Sequence, residues 1–341
     1  MKQYLLPSDG KFYKANLHCH TTVSDGAWTP EEVKANYKAA GYSIVAFTDH
    51  NIMIPHPELC DEDFLPITGF EYDVTDPDPR LTAFSMKRSC HLCFLAPTMC
   101  DAKQPLWHRR FYRWGYKEEY IPLVRYDEAS VDFVREYSPE GINRAIATAR
   151  EAGFFVTYNH PAWSLESYPD YMAYEGFHAL EVVNYGAMVT GYLDENLHVL
   201  LDMLRGGKAP FVIAADDNHN RSADSFGGFT MIKAPSLTYP DIFGALMKGN
   251  FYASEGPLIE ALWYEDGRVH VRSSEASAIV YHSDIRNTKI VNAPEGGSVT
   301  EADFEIGAYD KRFFLIVRDS AGKFACTRPY SVNGLREKEQ M

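Results

Sequence analysis

The chain has 341 residues, 45% of them hydrophobic and 23% charged, with a formal net charge of -14. Such a length holds one large domain, or one large and one small, and the composition is that of an ordinary soluble globular protein. The acidic balance argues against a nucleic-acid polymer as partner, and no apolar run reaches the roughly 18 residues of a membrane span. An anionic small-molecule substrate stays open, because bound metals and a few arginines make a site locally positive. The opening residues have too short an apolar core for a signal peptide, so the expected location is cytoplasmic. Cys19, Cys60, Cys90, Cys93, Cys100 and Cys326 show no disulfide-framework spacing, which points to a reducing compartment.

The first stretch with chemistry is Lys14 to Gly26. If Ala15 to His20 is extended, His18 and His20 point to one side, because side chains alternate along a strand. With Asp25 following on a loop, they form a corner of the kind a metal site needs. An isolated His-x-His pair is a weak signal, and the rest of the chain decides it. Thr29 to Gly41 reads as a helix, with Thr29 as N-cap, Pro30 at the first position, early acids and a terminal glycine. Short apolar strands follow: Tyr42 to His50 ends in Asp49 and His50, Phe64 to Glu71 ends in Glu71, and Ser89 to Ala96 carries His91. Within the last, Cys90 and Cys93 face opposite sides, so they read as buried structural thiols rather than a ligand pair. Ser138 to Gly153 repeats the helix pattern. Gly153 to Pro161 then ends in His160, His178 to Asn184 in Asn184, and Phe211 to His219 in Asp217 and His219. Gly191 to Gly206 and Tyr239 to Gly249 read as further helices.

Seven such strands alternating with helices predict a parallel sheet or barrel, with the working residues at the C-terminal strand ends. One histidine in that position is an ordinary hydrogen-bonded residue. Six of them, beside Asp25, Glu71 and Asp217, would be costly to bury without a shared purpose. His56, His178, His198, His270 and His282 show no such pattern and read as surface or structural residues; His108 differs only in lying within the insertion described below.

Taken together, His18-Cys19-His20, Thr48-Asp49-His50, Gly69-Phe70-Glu71, Asn159-His160-Pro161 and Asp217-Asn218-His219 resemble, in order and spacing, the motifs of the PHP (polymerase and histidinol phosphatase) superfamily, over residues 12–255. The resemblance implies an α/β fold, a distorted seven-stranded β/α barrel, with two or three divalent metal ions (Mn, Zn or Fe) at the strand ends. It implies that His18, His20, Glu71 and Asp217 hold one metal. It implies that His50, His91 and Glu71 hold a second, with Glu71 bridging, and that Asp25, His160 and His219 complete the second and any third site. Some branches have histidine where this chain has Asp25; a carboxylate there shifts preference toward manganese or iron. Such a centre can bind a bridging hydroxide and polarise the bond it attacks, so no protein nucleophile is required, and no Gly-x-Ser-x-Gly elbow occurs. Asp49, Glu71 and His160 are the expected catalytic residues. For Asp49, orienting a ligand histidine and simple strand-end hydrogen bonding are equally open.

Residues 101–137 form a long insertion that includes Trp107, His108, Arg109, Arg110, Arg113 and Trp114. One reading is a lid whose arginines grip a phosphate or carboxylate while the aromatics stack on substrate. The plainer reading is a solvated basic face packed by its aromatics, as at a contact between copies in a homo-oligomer. Arg221, beside His219, is at least as good an anion-binding candidate. After Gly249 to Pro257 the pattern changes to seven short strands between Leu258 and Tyr330, separated by Asp266-Gly267, Gly296-Gly297 and Ala321-Gly322 turns. They predict a small C-terminal β-sandwich. The expected division is a barrel over 1–255, the sandwich over 256–332 and a polar tail over 333–341. Phe251 to Pro257 and Arg318 to Gly322 also resemble, more weakly, the carbaryl-hydrolase-like branch.

The function expected from these residues is metal-dependent hydrolysis, foremost of a phosphoester in a small phosphorylated metabolite or nucleotide. Hydrolysis of a carboxylic ester, carbamate or amide is the first alternative, and a non-catalytic metal-binding module the second.

Overall fold

The structure, a computed structural model, describes residues 2–339. Its first strands are β1 (Gln3–Tyr4), β2 (Lys11–Asn16), β3 (Ile44–Phe47), β4 (Leu65–Thr75), β5 (Ser89–Leu95), β6 (Phe155–Tyr158), β7 (Ala179–Asn184), β8 (Phe211–Ala215), β9 (Phe229–Ala234) and β10 (Phe251–Ser254). They are followed by β11 (Ile259–Glu265), β12 (Arg268–Ala276), β13 (Ala278–Ser283), β14 (Thr288–Asn292), β15 (Val299–Glu305), β16 (Arg312–Arg318), β17 (Phe324–Thr327) and β18 (Tyr330–Ser331). The α-helices are α1 (Pro30–Ala39), α2 (Pro139–Glu151), α3 (Tyr168–Ala173), α4 (Tyr185–Val189), α5 (Leu197–Arg205), α6 (Tyr239–Lys248) and α7 (Val332–Glu339).

The helices begin where the local chemistry demands. Thr29 Oγ1 accepts the Glu32 amide at 3.2 Å and Glu32 Oε2 accepts the Thr29 amide at 2.8 Å, a reciprocal cap on α1. Gly41, at φ 80°, ends it. Thr29→Ala is expected to lower stability by about 1 kcal/mol; an unchanged urea midpoint would show that the cap contributes nothing. Ser138 caps α2 one-sidedly, its hydroxyl accepting the Gly141 amide at 3.1 Å. The helix expected over 191–206 is shorter. Asn184 Oδ1 accepts the Ala187 amide at 2.8 Å, which starts the separate turn α4 directly after β7.

The fold is mixed α/β, built on one large sheet in the order β14-β13-β16-β17-β10-β9-β2-β3-β4-β5-β6-β7-β8. Pairs β2–β3, β3–β4, β6–β7 and β7–β8 are parallel, as the alternation predicted. β5 is not: it runs antiparallel to both β4 and β6. Residues 76–88 join β4 to β5 without the α-helix that usually carries a parallel crossover. β9 also pairs antiparallel with β2 and with β10. At the other end of the run, the Asp217 amide donates to His18 O at 3.0 Å and the His20 amide to Asn218 O at 3.1 Å. The outgoing ends of β2 and β8 therefore meet.

The C-terminal strands lie where the sequence predicted, within a few residues, but they are not a detached block. β17 pairs with β10, so β13, β14, β16 and β17 extend the large sheet. A second sheet, β1-β11-β12-β15, shares an apolar core with them: Leu262, Tyr264, Val269 and Val271 meet Ile279, Tyr281, Phe313, Leu315 and Val317. Leu5 and Leu6 join that core and Gln3–Tyr4 pairs with β11, so the extreme N-terminal segment packs with the C-terminal part. The stretch expected to be a polar tail is helical through Glu339, because Val332 and Leu335 are buried against the same core. Residues 340–341 of that expected tail lie outside the described residues. Among the described residues no helix is long and apolar enough to cross a membrane.

One core carboxylate makes stability depend on pH. Glu166 accepts hydrogen bonds from Tyr137, Tyr158 and Tyr174. Burial, only partly offset by those donors, pushes its carboxyl up from 4.5 to about 8. The folded protein then holds this proton more tightly than the unfolded chain. The contribution is complete below about pH 4.5 and is lost as pH rises to about 8. Glu166→Gln is expected to gain stability relative to wild type across that window, read as a rising difference in Tm.

Candidate metal centre

The site is assembled where strand ends converge. Cys19 is held between its histidines by β3: its amide donates to Thr48 Oγ1 at 2.9 Å and its carbonyl accepts the Thr48 amide at 3.0 Å. β2 stops at Asn16 rather than running to His20 as expected, but the bridge of Cys19 to Asn218 keeps the chain in place, and His18 and His20 turn to one side with their Nε2 atoms 3.2 Å apart. Glu71 comes from the middle of β4, whose backbone bridges to His50. His91 lies near the start of β5. Because β5 runs against its neighbours, that start comes level with Asp73 on the far half of β4. His160 and Asp217 follow β6 and β8 at φ 27° and 51°. Left-handed backbone is costly for residues with a Cβ and persists where the surroundings impose it. Here the His160 amide is bound by Glu181 Oε2 at 3.0 Å, and the Asp217 amide by the His18 carbonyl.

Glu71 stands at the centre. Its Oε1 lies 3.3 Å from His18 Nε2, 2.9 Å from His91 Nδ1 and 3.2 Å from His160 Nε2. Its Oε2 lies 3.3 Å from His20 Nε2 and 2.9 Å from His50 Nδ1. Asp217 Oδ1 is 3.1 Å from His18 Nε2 and 3.0 Å from His20 Nε2. His219 Nε2 is 3.4 Å from Asp25 Oδ2, and His20 and His50 are each 3.8 Å from Asp25 Oδ1. Among the described residues three groups have ligating atoms close enough to share an ion: His18, His20 and Asp217; His18, Glu71 and His160; and His20, Asp25, His50 and His219. Eight of the nine expected ligands fall in these groups; His91, the ninth, is in none of them and lies against Glu71 Oε1. The expected pairing of His50 with His91 is looser, since these two rings contact opposite oxygens of Glu71.

Several of these approaches are short yet lack hydrogen-bond geometry. His50 Nδ1, His91 Nε2 and Asp217 Oδ1 are buried without a hydrogen bond. His50 and Asp217 also belong to groups whose ligating atoms could share an ion, as suits ligands around a cation, whereas His91 is hydrogen-bonded to Glu71 through Nδ1. The charge balance agrees. Burial disfavours charge on His18 and His20, but Asp217 and Glu71 raise both imidazoles well above their ordinary value. Burial would likewise raise Glu71, yet His18, His50 and His91 hold it well below the usual carboxylate range. Against the same burial, His219, His20 and His50 keep Asp25 low.

Around this core the structure sorts the remaining expectations. Asp49 is not at the centre. Its carboxylate accepts the Thr21 and Ser24 amides at 2.8 and 3.1 Å and the Ser24 hydroxyl at 2.6 Å, so it shapes the loop between His20 and Asp25. Arg109 is occupied by Asp132 and by the Glu128 and Ser130 carbonyls, and Arg113 by the Arg109 carbonyl. None of Arg109, Arg110 and Arg113 reaches the cavity of about 420 Å³ above the centre, whereas Arg221 lines it. The insertion contributes Trp114 instead, whose ring lies 5.1 Å from His50. It is fastened rather than loose: Asn51 Nδ2 donates to the Trp114 carbonyl at 3.3 Å, and Arg135 Nη1 donates to Asn51 Oδ1 at 2.5 Å. Gly115, at φ 85°, approaches His50 so closely that an added Cβ would stand 2.8 Å from the His50 Cβ. Cys90 and Cys93 are buried free thiols, as expected, and no cysteine joins the three groups among the described residues.

One residue was missed. Glu181, fully buried in β7, places Oε1 3.1 Å from His18 Nδ1 and Oε2 on the His160 amide and the Asn184 side chain. A carboxylate in the middle of an apolar strand was the available signal, since such a charge is not buried without partners.

The PHP domain family model matches residues 16–182. These residues are a PHP domain. It contains His18, His20, Asp25, His50, Glu71, His91, His160 and Glu181, while Asp217 and His219 come from beyond the matched segment. Among solved structures, the chain is similar to a two-domain protein of Bacteroides vulgatus described as containing a predicted PHP-like metal-dependent phosphoesterase. The identity is 15%, with 97% of this chain and 98% of that chain covered and a TM-score of 0.45. It is also similar to a candidate metal-dependent phosphoesterase of Bifidobacterium adolescentis, at 16% identity, covering 63% of this chain and 89% of that one, with a TM-score of 0.37. No curated protein matches the chain. With both TM-scores below 0.5, the functional reading of the PHP domain rests on its own residues.

Proposed function

We propose that the protein is a metal-dependent phosphoesterase acting on a small anionic ester. The observation that carries this is one buried carboxylate, Glu71, whose two oxygens are divided between five imidazoles. In this reading His18, His20, Glu71 and Asp217 hold one divalent ion, and Asp25, His50 and His219 a second. His91 and His160, on the other oxygen of Glu71, complete a two- or three-ion centre. Manganese, zinc or iron suits the mixed imidazole and carboxylate donors. Ions bound there supply polarisation of the ester and a more acidic water. The chain's own residues do the rest: Glu71 gathers the ligands, Glu181 orients His18, and Arg221 meets the anionic group at the mouth. Trp114 and Trp163 narrow the space open to water. The strands from β2 to β8, whose ends meet at His18 and Asp217, act as the distorted barrel that presents these ligands, with the C-terminal strands as a packed β-sandwich.

A carboxylic ester or carbamate is the second reading. It is favoured by a cavity in which, among the described residues, Arg221 is the one lysine or arginine. Metal analysis followed by a panel of phosphomonoesters, phosphodiesters and carboxylic esters decides between them. Turnover of phosphoesters by the Mn²⁺- or Zn²⁺-loaded protein is expected. Turnover of carboxylic esters alone would establish the second reading.

A further inference from the structure

We propose that the cavity selects an ester bearing a planar aromatic group, which lies against Trp163 and Phe84 while Arg221 meets the anionic part of the molecule. This rests on the phosphoester reading above and deepens it to a substrate class.

Trp163 follows His160 by three residues, and its ring packs on the centre itself, 5.4 Å from the His91 ring and 5.2 Å from His160. Its position is fixed: the Trp163 amide donates at 2.7 Å to Asp194, which is fully buried. Phe84, from the connection between β4 and β5, tilts over Trp163 at 6.1 Å and is 55% exposed. Both rings line the cavity, so each keeps apolar surface open to whatever enters. On the other flank Trp114, also lining the cavity and 45% exposed, lies against His50. Large aromatics left open beside a buried polar centre mark a place where apolar ligand surface is covered.

The charges around them limit the alternatives. Arg221 lines the same cavity as Asp25, Asp217 and Asp224, of which only Asp224 lies outside the proposed metal centre. Beyond the metal centre Arg221 is, among the described residues, the one lysine or arginine lining the cavity, so a molecule with several anionic groups beyond the reacting one would find little cation to offset them. A neutral ring system meets indole and phenyl faces, gaining both buried area and stacking. A volume of about 420 Å³ accommodates one phosphoryl group and one such ring system.

The probes are benzylphosphonate and cyclohexylmethylphosphonate, titrated calorimetrically into the Mn²⁺-loaded full chain. They share the anionic head and the methylene and differ in the planarity of the ring. Turnover of benzyl phosphate and cyclohexylmethyl phosphate, whose leaving alcohols are of similar basicity, is measured in parallel. Wild type is expected to bind the benzyl compound roughly three- to tenfold more tightly, with the same preference appearing in KM rather than kcat. Trp163→Ala and Phe84→Ala should each reduce that ratio, and Trp163→Phe should keep most of it. Phe84 is exposed, so its variant tests the idea even if Trp163→Ala fails to fold. Equal binding of the two phosphonates by a protein that still hydrolyses phosphate esters overturns the aromatic slot and leaves the phosphoesterase reading intact. A preference unchanged in both alanine variants overturns the assignment to these rings. If no phosphate ester is turned over and neither phosphonate binds, both readings fall.

Discussion

Replacing Glu71 with glutamine is expected to remove metal and activity together. Glutamine keeps the volume of the side chain but leaves one neutral oxygen where five imidazoles now share two charged ones. A neutral amide cannot bridge cations, so metal content should fall by at least one ion per chain and hydrolysis by about a thousandfold or more. The carboxylate also balances charge in the metal-free protein, where its histidines hold it low and it helps hold His18 and His20 high. Glu71→Ala is therefore expected to cost stability as well, by roughly 3–5 kcal/mol, because it leaves buried imidazolium charge without its partner. The readouts are elemental analysis, turnover and chemical denaturation on the same preparations. Wild-type metal content and turnover in Glu71→Gln would refute the bridging role.

Glu181→Gln is expected to weaken metal binding by about 10–100-fold without a change in the ligands themselves. The Glu181 carboxylate fixes the Nδ1 proton of His18, which leaves Nε2 free to face Asp217 and Glu71. Glutamine can present its amide N–H to the same ring atom and so favour the tautomer that blocks the ligating nitrogen. Competition against a chelator reads the affinity. A Kd equal to that of wild type would assign Glu181 a purely structural role. Glu181→Ala goes further, stranding His18 Nδ1, the His160 amide and the Asn184 side chain in a buried site. Each unsatisfied group costs about 1–3 kcal/mol, so this variant should be markedly less stable than Glu181→Gln.

How far these residues could be read in advance depended on whether the relation between them was local. His18 and His20 were legible as a pair from their i, i+2 spacing, although β2 ends at Asn16 and only an isolated bridge at Cys19 continues it between them. The α1 and α2 caps, the C-terminal strands and the opposed facing of Cys90 and Cys93 were legible for the same reason. The residues expected at the centre could be picked out because most sit in or beside a short apolar run, and seven of the nine fall in an ordered set of motifs. The convergence of five of the histidines on the two oxygens of Glu71, with Asp217 against His18 and His20, is a three-dimensional fact, carried by segments far apart in the chain.

The misplaced expectations each turned on a partner that sequence distance hides. Of the two readings open for Arg109, a lid that grips the substrate loses its charge to Asp132, 23 residues on. Of the two readings open for Asp49, hydrogen bonding is the one seen, since the loop from Thr21 to Ser24 folds back onto its carboxylate. Glu181 looked like one polar residue in an apolar strand until His18 and His160 were brought to either side of it. The direction of β5 was also beyond local reading, since antiparallel pairing is decided by the connection and the neighbours rather than by the strand's own residues. The sequence by itself determined which side chains could bind a cation and which strands would carry them, because residue type and backbone alternation are local. Only the tertiary structure decided which oxygen of Glu71 each histidine meets, which arginine reaches the cavity and which carboxylate stands behind the ligands. Those depend on distances between segments that the chain order does not constrain.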